Sequence, residues 1–249
     1  MISIFRKKRQ DLMEKNSLVK QADNTGKYLK YAIGEIALVV IGILIALSIN
    51  NWNESRKDQL LEIDILKEIR NALKDDLKDA QDNLSVHREK LTSQNIVIDW
   101  MENDQHFADS LSLHFETIEY GTFFEFYEGP YKTLNQTGMR IIKNDSLRNQ
   151  ISKLYDQVYE SYNVFNRAYS QRIDENKKLN PIYFNEWSNN EGKMEPLNSA
   201  NLKLDNRYLY LLKSSKNFNS VLVSIKIPQV ISEINTTMQM INNELEARN

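Results

Sequence analysis

The sequence predicts an all-α protein: a single N-terminal transmembrane helix followed by an elongated antiparallel helical bundle. Three observations carry this reading. Apolar residues recur three and four apart over most of the chain, the spacing that lines one face of a helix. Glycine and proline are scarce, seven and four among 249 residues, which disfavours a turn-rich β fold. One segment near the N-terminus is almost wholly apolar although the mean hydropathy of the chain is −0.56, so the remainder must be polar and water-facing.

The apolar segment comes first in the chain. From Ala32 to Ile49 only Glu35 and Ser48 interrupt aliphatic residues, glycine and alanine. As a helix, Tyr31 to Asn51 rises roughly 30 Å, the thickness of a bilayer core. Tyr28 and Tyr31 mark one edge and Trp52 the other, where amphipathic rings favour the headgroup region. A cleaved signal peptide competes with this reading, since Ala46 and Ser48 resemble a small-residue cleavage site, but the apolar run exceeds the usual length. Arg6, Lys7, Lys8, Arg9, Lys15, Lys20, Lys27 and Lys30 precede the span, whereas the flank after it mixes bases with more acids. The positive-inside rule therefore predicts a cytoplasmic basic stub (1–31), a transmembrane helix (32–52) and a bundle outside the cytoplasm (53–249).

Glu35 lies one helical turn inside the cytoplasmic edge, where a carboxylate snorkels toward headgroups or Lys27 and Lys30. A second reading comes from periodicity. Ala32, Glu35, Val39, Gly42 and Ala46 share one helix face, and small residues on such a face let two helices approach closely in lipid. The expected partners are thus the lipid bilayer and either a second copy of the chain or another membrane protein.

The block "GKYLKYAIGEIALVVIGILIALSINNWNE" resembles the signature of an uncharacterised family of single-pass membrane proteins from Bacteroidota, a domain of unknown function. "YKTLNQTGMRIIKNDSLRNQISKLYD", Tyr131 to Asp156, is similar to that family's second block. The resemblance implies an inner-membrane anchor with the bundle in the periplasm. It supplies no activity, cofactor or catalytic residue.

After the span, Ile63, Leu66, Ile69, Leu73, Leu77, Ala80, Leu84, His87, Leu91, Gln94, Ile98 and Met101 form a nearly heptad stripe, predicting an amphipathic helix over 56–103. Gly121, Gly129 and Pro130 then mark a turn-forming connector with room for a short strand, followed by a short helix near Tyr131 to Arg140. Asn144 or Asp145 is placed to cap a helix over 145–178, with Leu147, Ile151, Leu154, Val158, Tyr162, Phe165 and Tyr169 on its apolar face. Asn180 to Asp205 reads as a loop. A last helical region over 206–247 has Leu212, Leu222, Ile234, Ile241 and Leu245 on its buried side, with Pro228 expected to kink it or start a new helix.

The chain has no cysteine, which excludes disulfides, thiolate metal sites and Cys nucleophiles. Its 32 basic and 34 acidic residues nearly balance, so there is no global drive toward nucleic acid, and the basic stub reads as a contact for anionic lipid. "NTGKY" lacks the residues of a phosphate-binding loop, and neither HExxH nor a nucleophile elbow occurs. His106, Asp109, His114 and Glu116 lie close together but match no metal-ligand spacing, so neither a metal nor another cofactor is expected. Tyr120, Phe123, Phe124, Phe126, Tyr127 and Tyr131, interleaved with acids, have two readings: a patch that grips a cation or peptide, and rings that plug the end of the bundle. Ser110 and Ser146 stand in Asp-Ser-Leu triplets that resemble a short O-glycosylation sequon; the same residues serve as ordinary helix starts. The resulting expectation is a non-enzymatic membrane-anchored scaffold or accessory protein, with an extracytoplasmic ligand sensor as the alternative.

Overall fold

The computed structural model describes residues 2–103, 106–122, 124–187, 191 and 193–248, with side chains from Lys30 onward except that of Tyr31. Phe123 of the aromatic segment, and the side chains of Tyr28, Tyr31 and the basic residues before Lys30, lie outside the described residues. The described chain is all-α and divides into two compact units, Met1–Leu60 and Leu61–Asn249.

The first unit is the leading part of one helix, α1 (Ile2–Glu102). This helix holds an apolar stretch long enough to cross a membrane, with mean hydropathy 2.6 and no residue of that window buried. The Ser48 hydroxyl donates to the Leu44 carbonyl at 2.8 Å, so the one neutral polar side chain of the run is satisfied within its own helix. Ala32, Glu35, Val39, Gly42 and Ala46 are all exposed, and nothing lies within 4 Å of a Cβ built on Gly42.

In the second unit, the remainder of α1 packs with two interrupted helices. One runs from α4 (Asp145–Ser152) through a wide π segment (Lys153–Tyr159) into α5 (Glu160–Lys177). The other, after α6 (Asn180–Tyr183) and α7 (Ser199–Leu204), runs from α8 (Asn206–Val221) through a second π segment (Leu222–Lys226) into α9 (Ile227–Glu246). The apolar stripes account for this packing. Leu66, Ile69, Leu73, Leu147, Ile151, Leu154, Ile234 and Ile241 are fully enclosed in one shared core. Pro228 falls in the first turn of α9, where a missing N–H removes little, and the π turn before it absorbs the change in bonding. Asn144 caps α4 by accepting from Leu147 N at 3.2 Å, and Asp205 caps α8 by accepting from Arg207 N at 2.7 Å and Tyr208 N at 3.0 Å. The stretch read as a loop from Asn180 to Asp205 contains α6, α7 and an isolated antiparallel bridge between Phe184 and Pro196.

Cross-helix hydrogen bonds fix the directions. Tyr159 Oη donates to Asp76 at 2.7 Å and Tyr162 Oη to Asn83 at 3.3 Å, so α4–α5 ascends in parallel with α1. His87 meets Asn219 and Glu62 meets Arg248, so α8–α9 descends antiparallel to both. The connector through α2 (Ser110–Glu119) and α3 (Gly129–Thr137) supplies the return between the two parallel helices. Between α2 and α3 it is extended without a strand partner, and polar side chains of α1 bind its backbone in sequence. Lys90 Nζ donates to Tyr120 O at 2.5 Å. Asp79 accepts from Glu125 N at 3.0 Å, and Asp76 accepts from Tyr127 N at 2.9 Å. Buried backbone groups need such partners, which is why α1 buries Asp76 and Lys90 beside its apolar stripe.

Glu62 closes the bundle at its Leu61 end. Its carboxylate, fully buried, accepts from Lys143 N at 2.8 Å and from the Arg248 guanidinium at 2.5 and 2.8 Å. Arg248 also bonds Glu244, which accepts from Asn144 at 2.7 Å, so one bidentate ion pair links α1, the start of α4 and the end of α9. Arg248→Ala strands Glu62 in the interior and should lower stability by roughly 3 kcal/mol. Urea denaturation of the detergent-solubilised chain checks this; an unchanged midpoint would contradict the clamp.

Candidate functional site

The interior is not continuously apolar. One core cluster reaches Leu84 on α1, and a second begins at Val97, gathering Trp100, Phe115, Phe184, Tyr208 and Leu212. Between them α1 buries His87, Lys90, Ser93 and Gln94; α2 contributes Ser112 and Glu119, α5 contributes Asn176, and α8 contributes Ser215 and Asn219. α1 thus turns from apolar to polar and back again, and α2, α5 and α8 bring buried polar groups as well.

A hydrogen-bonded chain organises one side of this layer. Asn219 Nδ2 donates to the His87 carbonyl at 3.1 Å and to Gln94 Oε1 at 3.0 Å, and Gln94 Nε2 donates to Ser215 Oγ at 3.2 Å. With both amide hydrogens so engaged, Asn219 Oδ1 faces His87 Nδ1 at 2.7 Å and can only accept. His87 therefore carries its proton on Nδ1, and Nε2 presents a buried lone pair without a hydrogen-bond partner. Burial, opposed by the Asn219 bond and reinforced by the Lys90 charge, lowers the imidazole pKa to about 4.

The other side of the layer centres on Lys90 and Glu119. Burial lowers the Lys90 ammonium to about 8, against the pull of Glu119, and the ammonium lies 5.5 Å from the Tyr169 ring centroid. Burial raises the Glu119 carboxyl, with Asn180, Lys177 and Lys90 nearby pulling it back. Asn180 is near enough to polarise the carboxylate, yet neither Glu119 oxygen makes a hydrogen bond of good geometry. Asn180 Oδ1 and Tyr169 Oη are buried without one as well, and buried Asn176 has the Tyr208 hydroxyl within reach though not in good geometry. A native interior leaves few such groups, and several of those among the described residues belong to Glu119 and its neighbours.

Beside this cluster a cleft of about 280 Å³ opens along α6, walled by Pro181, Phe184, Trp187 and Met194 with Lys177 and Asn180 at its polar edge. Glu116, one turn before Glu119, accepts from Lys193 N at 2.7 Å and Met194 N at 3.2 Å and so anchors one wall.

The sequence-predicted residues lie elsewhere. Phe124 packs edge-on to Tyr159 and Tyr162, Phe126 stacks on Tyr159 at 4.2 Å, and Tyr131 stacks on Tyr155 at 4.3 Å, while Tyr120 and Tyr127 are exposed. The structure thus puts three of these rings into the bundle and two on its surface. Ser110 and Ser146 are both exposed, in the first turns of α2 and α4. His106 is exposed, His114 bonds Ser93 at 3.0 Å and Glu116 holds its wall, so these residues are spent separately; no group of metal-ligating side chains occurs among the described residues. Lys90 and Asn176 escaped sequence reading, because each stands beside an apolar stripe rather than within a motif; Glu119 entered only as one of the acids beside the Tyr120–Tyr131 aromatics, and Asn180 only as the start of a loop.

The His87 geometry sets a pH dependence. Its folded pKa lies below the ordinary imidazole value of 6.5, so the unfolded chain takes up the proton first. The stabilising contribution is complete above pH 6.5 and fades as pH falls toward 4, about 3 kcal/mol in all. Urea midpoints compared at pH 7.5 and 4.5 should fall less for His87→Gln than for the native chain; equal falls would contradict the buried neutral imidazole.

No curated protein and no solved structure matches the chain. A family model does: it aligns with residues 35–225, from within the apolar segment of α1 through the polar layer to the π segment before α9. With well over half its length matched, the chain belongs to the family of unknown function DUF6090.

Proposed function

We propose that this protein is a non-enzymatic, membrane-anchored helical scaffold or accessory subunit, with the apolar part of α1 in a bacterial inner membrane and the bundle in the periplasm. The observation that supports it most directly is the apolar stretch of α1, whose side chains from Ala32 through Trp52 are all exposed in the folded chain. A run of that length and hydropathy left uncovered by its own protein calls for lipid or for another apolar helix. The basic flank before Ala32 sets the direction. The resemblance of this block to a Bacteroidota membrane family favours the same envelope location. A second copy or a partner span would contact the face of Ala32, Glu35, Val39, Gly42 and Ala46.

A second reading, an extracytoplasmic ligand sensor, is favoured by the polar layer. A bundle built only for rigidity has no need of hydrogen-bonding groups left open around Glu119. In this reading a ligand alters helix packing and a membrane partner carries the output.

The absence of native cysteine offers a clean topology test. Ser146→Cys places a single thiol at an exposed position of α4. In cells whose outer membrane alone is permeabilised, a membrane-impermeant maleimide should label it. Labelling only after the inner membrane is broken would overturn both readings.

A further inference from the structure

The open hydrogen-bonding groups around Glu119 have a definite chemistry. Acceptors dominate: both carboxylate oxygens of Glu119 and the side-chain oxygens of Asn176 and Asn180. Lys90, the buried cation of the cluster, directs its ammonium to the Tyr120 carbonyl at 2.5 Å rather than to these groups. A guest suited to this spot is small and donor-rich. The adjoining cleft adds an apolar wall of Pro181, Phe184 and Met194 and the half-exposed ring of Trp187. Its volume of about 280 Å³ lies just below the usual range of small-molecule sites, which suits only a small guest. Asn180 belongs to both places, lining the cleft and standing beside Glu119. Its side chain therefore connects the cleft rim to the buried carboxylate.

We propose that the α6 cleft binds a small molecule that joins a primary ammonium to a short apolar body. The ammonium lies at the Asn180 edge of the cleft, drawn by the Glu119 carboxylate behind it, and the apolar body lies against Trp187 and Phe184. Three N–H donors on one compact cation match a cluster of unspent acceptors better than a hydroxyl or a carboxylate does. Glu186 on the same rim adds negative charge, and Lys177 provides a counter-charge for a ligand carboxylate. An apolar amino acid and a simple aliphatic amine share the required chemistry, and Lys177 favours the amino acid. This proposal rests on the sensing reading and supplies its ligand class.

Calorimetric titration of the full-length chain in detergent tests it with three probes. These are L-leucine, isoamylamine (ammonium without carboxylate) and 4-methylpentanoate (carboxylate without ammonium). Leucine and isoamylamine should bind. Tighter binding of leucine than of the amine, lost in Lys177→Ala, identifies the amino acid, whereas equal affinities identify the amine; both outcomes support the site. Glu119→Gln should weaken either ligand about tenfold or more. Should that variant fail to fold by circular dichroism, Asn180→Ala, at a half-buried position, carries the test with the same expected loss. Binding of 4-methylpentanoate alone, no binding of any probe, or affinities untouched by the folded variants would overturn the proposal. The maleimide result is independent of these titrations, so failure here leaves the membrane-anchored scaffold standing.

Discussion

Ionisable side chains inside a helical core are expensive unless their charges and hydrogen bonds are met, and this bundle is arranged around a level where they are buried. Lys90 and Glu119 lie out of water together with His87, Gln94 and Asn219. The cost of burying a charge is several kcal/mol. That cost explains why the polar groups of α2, α5 and α8 are buried together with those of α1 between Leu84 and Val97, and why the apolar interior is split in two. Polar groups at one level also oppose sliding. Moving α8 by a turn along α1 would separate Asn219 from His87 and Gln94 and set polar atoms against Leu84 or Val97. Buried polar contacts that fix register in this way are well attested in helical assemblies.

The connector extends the same logic along the bundle. Helices satisfy their own backbones, but the connector residues Tyr120, Glu125 and Tyr127 turn to α1 for theirs. Lys90, Asp79 and Asp76 meet them one after another. α1 therefore serves two neighbours at once: its apolar stripe faces the cores, and the adjoining polar stripe binds a chain segment with no strand to pair with. Two parallel helices can then sit side by side, because the segment that joins them returns along α1.

Much of this fold was legible in the sequence. The three-four stripes named the residues that now fill the cores: Leu66, Ile69 and Leu73 on α1, Leu147, Ile151 and Leu154 on the second helix, and Ile234 and Ile241 on the third. The cap at Asn144 and the helix start near Pro228 followed from local chemistry. The all-α class rested on the same signals. The candidate site was much less legible. His87 and Gln94 fell on the apolar stripe and were placed on the buried face, but Lys90 looked like an ordinary solvated charge, and Glu119 stood out only as one of the acids beside the Tyr120–Tyr131 aromatics. Their burial depends on partners far away in the chain, such as Asn219 for His87, and one helix's periodicity carries no information about which polar residues another helix brings to its level. Aromatics around Tyr120 to Tyr131 drew attention by composition, yet the rings of Phe124, Phe126 and Tyr131 are packed against Tyr155, Tyr159 and Tyr162.

The central claim is that Lys90 and Glu119 offset one another's burial, and a double-mutant cycle with Lys90→Met and Glu119→Leu tests it most directly. Urea denaturation of the full chain in detergent at pH 7 supplies the stabilities. Each single substitution leaves the opposite charge buried and should cost roughly 3 kcal/mol, whereas the double substitution should cost less than the sum by about 2 kcal/mol or more. Strictly additive losses would mean that the two charges do not compensate one another, and the account of the polar layer as an organised level of the bundle would fail.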